Sequence, residues 1–189
     1  MQVFVFLKAP RAGAVKTRLG AEIGMGRAAA IFRTLTARTI AEAQSPQWAL
    51  TLATAPIWSA NTGWGDLWPR RIARWPQPPG DLGTRMKSAF NNAPTGPVVI
   101  IGADAPGMRR RHLRFAFQKL RGADAVFGPA EDGGYWLIGM ARRRPAPNLF
   151  SGVRWSTEYA LEDTVNSLPK GFRVDYLSTL GDIDRKSDL

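Results

Sequence analysis

Short apolar runs alternate with helix-patterned segments along nearly the whole chain, and this alternation constrains the fold more than any other feature. The apolar runs predict strands at residues 3–7, 48–53, 98–102, 125–128, 135–140 and 172–177, with one more short strand between residues 56 and 81. Apolar residues at steps of three and four, such as Ala28, Phe32 and Leu35, predict helices at residues 26–43, 82–91, 110–121 and 157–168. Strands that alternate with helices form a mostly parallel sheet covered on both faces. The predicted fold class is therefore α/β, with three layers around a mostly parallel central sheet.

Length and residue content limit what the chain can do. At 189 residues, 44% of them hydrophobic, the sequence predicts one domain spanning residues 1–189. The absence of cysteine excludes disulfides, a thiolate nucleophile and cysteine-ligated zinc. The one histidine, His112, could be a general base, but no nucleophile-elbow motif accompanies it, and we interpret it as a polar residue near a helix start. The apolar runs are too short for a signal peptide core or a membrane span, so we expect a cytoplasmic protein without membrane contact.

The formal net charge of +11 allows two interpretations. A basic surface can attract nucleic acid, or it can attract small anions such as nucleoside triphosphates. The arginines cluster as Arg70–Arg71, Arg109–Arg111 and Arg142–Arg144, without interleaved aromatic residues and without an RNA- or DNA-binding signature. We therefore expect small anions, and not nucleic acid, to be the partners.

A basic segment, KAPRAGAVKTRL, follows the first strand directly. In parallel sheets ligands bind beyond the carboxyl ends of the strands, which is where this segment begins. Its cationic side chains can neutralise phosphate oxygens, and its glycine allows the backbone to approach a ligand. It is not a Walker A loop, and the alternative is a solvated basic turn. The candidate phosphate-binding residues here are Lys8, Pro10, Gly13, Lys16 and Arg18.

Aspartates follow two other strands. Asp104, in GADAP, comes directly after the apolar run VVIIG and is well placed to bind a divalent cation carried by phosphates. Asp182 and Asp184, in GDIDR, follow the last strand and share a side of an extended chain, so both could approach one metal ion. The alternatives are a helix cap for Asp104 and a polar tail for the other two. The predicted metal ligands are Asp104, Asp182 and Asp184.

Two glycine-containing loops are candidates for binding the remaining parts of a substrate. In PAEDGGYWLIG, Gly133 and Gly134 allow close backbone approach and Asp132 could accept a hydroxyl, although a tight hairpin turn is an equal alternative. In GDLGTRM, Gly83 and Arg85 would suit a base- or acceptor-binding loop that opens into a helix. The alternative for this second loop is a helix start capped by its aspartate.

Together, in this order, the motifs resemble a family of small bacterial GT-A-fold proteins labelled transferase-like and associated with radical-SAM or selenoprotein clusters. The matching segments are KAPRAGAVKTRL, GDLGTRM, GADAP, PAEDGGYWLIG, FSGVRWST and GDIDRKSDL, and they run from Lys8 to Leu189. More distantly, the chain is similar to the molybdenum-cofactor and 2-phospho-lactate guanylyltransferases. It lacks the GGxSxRM loop of the molybdenum enzymes, so their base preference does not transfer.

The resemblance implies roles for individual residues. Lys16 and Arg18 would contact phosphates and act in catalysis with Asp104, which would bind Mg²⁺ (or Mn²⁺) together with Asp182 or Asp184. The hairpin residues 132–134 would face the acceptor. The leading hypothesis is transfer of a nucleoside monophosphate from a nucleoside triphosphate to an unknown small acceptor; glycosyl transfer from a nucleotide-sugar and non-catalytic binding of nucleotides or nucleic acid are the alternatives. The oligomeric state is left open.

Overall fold

The computed structural model of the protein describes residues 1–188. Leu189, the last residue of the predicted domain and of the GDIDRKSDL motif, lies outside the described residues. Because that residue is outside, the prediction of one domain over residues 1–189 stays a prediction, although the strands of residues 1–188 all belong to one sheet.

Residues 1–188 form seven strands and five α-helices. The strands are β1 (Gln2–Lys8), β2 (Ala49–Ala55), β3 (Ala73–Pro76), β4 (Val98–Ile101), β5 (Ala125–Pro129), β6 (Tyr135–Met140) and β7 (Val174–Tyr176). The helices are α1 (Thr17–Ile23), α2 (Met25–Ala43), α3 (Leu82–Asn92), α4 (Arg110–Lys119) and α5 (Ala160–Asn166). Short 3₁₀ helices lie at Ile57–Asn61, Gly65–Leu67 and Lys186–Asp188.

The strands form one sheet in the order β3-β2-β1-β4-β6-β5-β7. Strand β1 lies between β2 and β4 and is parallel to both, with Val3 opposite Leu50 on one side and Val99 on the other. Only β6 runs against its neighbours β4 and β5, because residues 130–134 join β5 to β6 as a hairpin. The predicted α/β fold with a mostly parallel sheet is confirmed.

Alternate side chains of the strands bury two cores, one on each face of the sheet. On β1, Val3 and Val5 belong to the core that also contains apolar side chains of α2 and α4. Phe4 belongs to the core on the other face of the sheet, which contains apolar side chains of α3. Helix α5 packs against this second core. Burying nearly continuous apolar strands on both faces is what a parallel sheet requires, and it produces the three predicted layers.

Apart from shifts of one or two residues at other helix ends, the helices differ from the predicted ones at two places. Residues 17–19, predicted as part of a basic loop, form the first turn of α1. Helix α5 begins at Ala160 and not at Thr157, because the Thr157 hydroxyl donates to the Arg154 carbonyl at 2.8 Å and so holds a local turn. Among residues 1–188, no helix has both the length and the apolar content that a bilayer crossing requires.

His112 lies in the first turn of α4. This agrees with its interpretation as a polar residue near a helix start. Its Nδ1 accepts a hydrogen bond from the Arg109 backbone N–H at 3.2 Å. Burial and the neighbouring Arg111 and Arg109 lower the pKa of His112, which favours the neutral ring that can accept this bond. The ring is therefore part of the helix start.

Candidate functional site

A cavity of about 540 Å³ opens at the carboxyl edge of the sheet, where a parallel α/β fold places ligands. Its walls come from the end of β1, the start of α1, the loop after β4, the β5–β6 hairpin, the start of α3 and two segments near residues 155 and 182. Of the residues predicted to bind a substrate or metal, those that line it are Lys8, Lys16, Arg18, Asp104, Asp132, Gly134, Asp182 and Asp184. Motifs far apart in the sequence therefore meet in one cavity.

Lys16 lies at the centre of the charged part of this cavity. It is the residue before α1, and its backbone adopts the left-handed conformation with φ 47° and ψ 47°. Only 4% of its side chain is exposed. Its ammonium Nζ lies 3.2 Å from Asp104 Oδ2 and 2.7 Å from Asp184 Oδ1, so one buried cation joins two carboxylates that are far apart in the sequence.

The two carboxylates approach Lys16 from the ends of different strands. Asp104 follows β4 by three residues, and a side chain at Gly102 would lie only 2.9 Å from the Asp104 carboxylate, so the glycine makes room for it. Asp184 follows β7 and also lies 3.7 Å from an Arg18 guanidinium nitrogen. Both carboxylates keep about two fifths or more of their side-chain area exposed, at 47% and 38%. They therefore remain open to a ligand.

The electrostatics of the cluster show how closely its charges interact. Burial alone would lower the pKa of Lys16, but the nearby Asp104 and Asp184 carboxylates outweigh it and raise the pKa above its usual value. Burial, and then repulsion by Asp184, raise the pKa of Asp182. Asp132 contributes a smaller repulsion from the hairpin side. The site holds more carboxylates than its one buried lysine neutralises, which favours a further cation.

The arrangement is compatible with an oxygen-ligated divalent cation, although it does not form a closed site. Within residues 1–188, no group of three or more carboxylate or histidine side chains is close enough to hold a metal ion by itself. Asp104 and Asp184 nevertheless converge on one ammonium within 3.2 Å, so a single cation fits between their oxygens. Mg²⁺ is commonly bound by one or two carboxylates together with substrate phosphates and waters, and this donor set fits that pattern.

The β5–β6 hairpin brings its aspartate and one of its two glycines to the cavity. Asp132 lines the cavity while its carboxylate accepts a hydrogen bond from the Gly134 N–H at 2.9 Å, which makes it part of a hairpin turn as well. Gly133 faces away, with φ 82°, and a side chain there would lie 2.1 Å from the Glu158 carbonyl oxygen. Its carbonyl accepts from the Leu161 N–H at 3.1 Å. Gly133 thus joins the hairpin to the start of α5.

Four other predicted residues lie outside the cavity wall. The Pro10 carbonyl accepts from the Arg33 guanidinium at 3.0 Å, and Gly13 has φ 78° in an open part of the basic segment. Gly83 packs against Trp155, where an added side chain would lie 2.8 Å from the indole. The Nε atom of Arg85 is buried without a hydrogen-bond partner in residues 1–188. Their predicted contacts with nucleotide stay predictions.

Sequence reasoning missed a wall of the cavity formed by Trp155, Ser156 and Thr157. Ser156 has φ 62°, a conformation that is uncommon for a residue other than glycine and that turns the chain past the cavity. The segment FSGVRWST contains all three residues, and it contributed to the family resemblance without a role for any of them. A tryptophan followed by two hydroxyl residues just before a helix is the signal that was available.

The chain belongs to the family described as "Uncharacterized protein conserved in bacteria (DUF2064)", whose sequence profile matches residues 36–157. That range contains Asp104, the hairpin and Trp155, but neither Lys16 nor Asp184. A comparison with curated proteins found no match. The resemblance to a GT-A-fold transferase-like family is confirmed at this level.

Solved structures with the same fold extend over the whole chain. A "putative nucleotide-diphospho-sugar transferase" from Desulfovibrio desulfuricans G20 is 29% identical, with a TM-score of 0.83 over 97% of this chain and 82% of that one. A Mycobacterium tuberculosis H37Rv protein in complex with manganese is 16% identical, with a TM-score of 0.53 over 99% and 95%. The inositol-1-phosphate CTP transferase from T. maritima is 11% identical, with a TM-score of 0.51 over 100% and 91%. The latter two show the fold alone.

Proposed function

We propose that the protein is a Mg²⁺-dependent nucleotidyltransferase, and that residues 1–189 act as one nucleotide-binding transferase domain. The observation that carries the proposal is the cluster of Lys16, Asp104 and Asp184, which lies at the edge of the sheet beside a cavity large enough for a small molecule. The similarity to proteins described as nucleotide-diphospho-sugar and CTP transferases supports the reaction class.

In the proposed reaction, an acceptor oxygen attacks the α-phosphorus of a nucleoside triphosphate. A new P–O bond forms as the bond to pyrophosphate breaks, and the acceptor, if it is a hydroxyl, loses its proton to solvent. Such a reaction needs no covalent nucleophile, because positioning and charge stabilisation supply the rate. This agrees with a chain that has no cysteine and whose one histidine is part of a helix start.

The basic residues of the cavity would hold the triphosphate. Lys8, at the end of β1, and Arg18, whose side chain is 67% exposed in α1, are available for phosphate oxygens. Lys16 would contribute its charge once another cation takes its place between the carboxylates. Pro10 and Gly13 would shape the same segment, and we keep them as part of the proposed phosphate site.

Asp104 and Asp184 would hold the metal ion, with Asp182 beside them. When bound, the cation would neutralise phosphate charge that develops on the leaving group. The Asp182 carboxylate, whose pKa is raised by burial and by Asp184, would become easier to ionise next to such a charge. Mn²⁺ would suit the same oxygen donors, and the fold relative from Mycobacterium tuberculosis was solved with manganese.

The other two loops would bind the rest of the substrates. Asp132 and Gly134 line the cavity, and we propose that they face the acceptor, with Gly133 fixing the hairpin in place. Gly83 and Arg85, near the start of α3, would bind the nucleotide; the buried Arg85 Nε–H is a hydrogen-bond donor without a partner in the described residues.

A second reaction is favoured by one observation, the description of the 29% identical relative as a nucleotide-diphospho-sugar transferase. Glycosyl transfer from a nucleotide-sugar would use the same carboxylates and basic residues but would leave the diphosphate intact. Release of pyrophosphate from a triphosphate distinguishes nucleotidyl transfer from release of a nucleoside diphosphate.

The test is a thermal-shift panel of nucleoside triphosphates and nucleotide-sugars with and without MgCl₂, followed by product analysis. A ligand at 100 times its Kd stabilises the folded state by about 2.7 kcal/mol. We expect a Mg²⁺-dependent shift with a triphosphate in the wild type and in Asp175→Asn, a variant that breaks the exposed Lys119–Asp175 pair. We expect Asp104→Asn to lose it. A shift with nucleotide-sugars alone would favour glycosyl transfer, and no shift with any ligand would contradict both reactions.

A further inference from the structure

Part of the cavity is lined by apolar side chains that have no role in the nucleotidyl transfer proposed above. We name it the apolar recess and define it by the six side chains that form it: Phe6, Leu82, Met86, Tyr135, Ile138 and Trp155. The charged residues of the cavity lie on its loops, at the end of β1 and in the first turn of α1. The site therefore combines the apolar recess with a charged part, which we call the charged mouth.

The recess is built by packing on one face of the sheet. Phe6 lies two residues before Lys8 on β1, so both side chains point to the same face, with the cation at the edge and the ring below it. Ile138 of β6 and Met86 of α3 belong to the core on that face. Trp155 closes the other side, packed on the Phe150 ring at a centroid distance of 5.9 Å.

The polar atoms around the recess are largely engaged with the protein. The Tyr135 hydroxyl is hydrogen-bonded to the Thr164 hydroxyl at 3.3 Å, and burial raises the pKa of Tyr135, so the neutral phenol is retained. The Asp81 carboxylate at the start of α3 accepts from the Thr84 N–H at 2.7 Å. Leu82, by contrast, is an apolar residue that is 45% exposed. A ligand group in this recess would therefore gain binding free energy mainly by burying apolar surface.

The walls of the recess connect it to the acceptor side of the site. Tyr135 directly follows the hairpin glycine Gly134, and Gly133 is hydrogen-bonded to the Leu161 N–H, which joins the hairpin to the segment that contains Trp155. The basic segment that would hold the triphosphate comes from another part of the chain, after β1 and before α1. The recess therefore borders both proposed sites. Tyr135 adjoins the residues proposed to face the acceptor, and Leu82 and Met86 lie on α3 with Gly83 and Arg85, which are proposed to bind the nucleotide.

We infer that the acceptor is amphiphilic: a phosphate or hydroxyl attached to an aromatic or branched alkyl body, which fills the apolar recess while its reacting oxygen lies at the charged mouth. This inference rests on the proposed nucleotidyl transfer and adds the class of acceptor. An acceptor that is polar throughout, such as a free sugar, would leave the exposed Leu82 surface and the Trp155 wall without a partner.

The test compares phenyl phosphate with methyl phosphate by isothermal titration calorimetry, with MgCl₂ and a non-hydrolysable triphosphate analogue already bound. Burying an aromatic ring is worth at least about tenfold in affinity, so we expect phenyl phosphate to bind at least about tenfold more tightly in the wild type. Leu82→Ser, at an exposed position, should reduce this preference to about threefold or less. Phe115→Ser removes a 50% exposed ring on α4, outside the cavity, and should leave the preference unchanged.

Three results would overturn the inference: equal binding of the two phosphates, a preference that Leu82→Ser leaves unchanged, or a preference that appears only when the triphosphate analogue is absent. The last would mean that the nucleobase occupies the recess. If the analogue binds with Mg²⁺ and no preference is found, the acceptor class is wrong and the nucleotidyl transfer stands. If the preference is found although the analogue does not bind, the recess stands and the proposed function is wrong.

Discussion

Replacing Lys16 with methionine tests the central cluster directly, because it removes one charge and keeps a side chain of similar length. The Lys16 side chain is 4% exposed, and its ammonium lies 3.2 Å and 2.7 Å from two carboxylates. Removing one partner of a fully buried pair costs about 3–5 kcal/mol, and an exposed pair is worth about 0–1 kcal/mol. Since the two carboxylates are 47% and 38% exposed, we expect an intermediate loss, roughly 2 kcal/mol.

For a chain of this length, that loss corresponds to a melting temperature lower by about 4–8 °C in buffer without divalent cations. Adding MgCl₂ should recover part of the loss, since a cation can then neutralise the two carboxylates. Turnover should fall by about 100-fold or more, because a buried charge near the transferred phosphoryl group is lost. Lys119→Met is the matched control, since Lys119 forms an exposed pair with Asp175 at 3.1 Å and should cost about 1 kcal/mol or less. If both variants melt at the same temperature and Lys16→Met keeps wild-type turnover, the cluster neither stabilises the fold nor acts in catalysis.

Three further predictions concern single positions. Asp104→Asn should lower product formation by about 100-fold or more. It should lower the urea unfolding midpoint less than Lys16→Met does, because Asp184 still pairs with Lys16, and near-normal turnover would contradict the metal assignment. Gly133→Ala should lower the free energy of unfolding by about 2–4 kcal/mol, because φ is 82° there and the new side chain would meet a backbone carbonyl. Gly171→Ala is the control: its φ is 76°, but the space around it is open, so the loss should be only about 1 kcal/mol. Equal losses in urea titrations would show that the close packing at Gly133 does not affect stability. Hydrogen bonds from Arg154 lower the pKa of Asp163 to about 2, so the stability that Asp163 contributes is present above its unfolded pKa and is lost as the pH falls towards 2. Between about pH 5 and pH 3, the free energy of unfolding should therefore fall less steeply with pH in Asp163→Asn than in the wild type. Equal slopes in the two proteins would contradict this prediction.

The sequence predicted the layers of the fold because burial on both faces of a sheet leaves a local signal. VVII of β4 is buried on both faces and is apolar throughout, and an aspartate placed just beyond such a strand must lie at its carboxyl edge. This rule was sufficient to single out Asp104 and, after the last strand, Asp184. It could not predict that both would meet at Lys16, because those contacts span 88 and 168 residues and depend on the order of the strands.

Other features depend on packing that no local pattern reports. Lys16 has the left-handed backbone of a turn although it is neither glycine nor asparagine, and α1 begins one residue later within what reads as a basic loop. Trp155 reaches the cavity because Gly83 of α3 leaves room for its indole, a pairing of two segments about seventy residues apart. Tryptophans are usually buried in a core, so no local pattern distinguishes this one from the other six.

The high positive charge has a structural explanation that sequence composition alone does not reveal. Arg142 donates to three carbonyls around the end of α3, and Arg143 donates to the Leu120 and Ala123 carbonyls at the end of α4, at 2.8 and 2.7 Å. Arg110 reaches the last turn of α2, where it donates to the Ala41 carbonyl at 3.2 Å. Basic side chains stabilise carboxyl ends of helices in this way, because those carbonyls lack partners within the helix. Arginines bonded to the chain's own carbonyls have fewer donors left for a nucleic-acid backbone, so the net charge of +11 supports helix ends and an anion-binding cavity better than it supports a nucleic-acid interface.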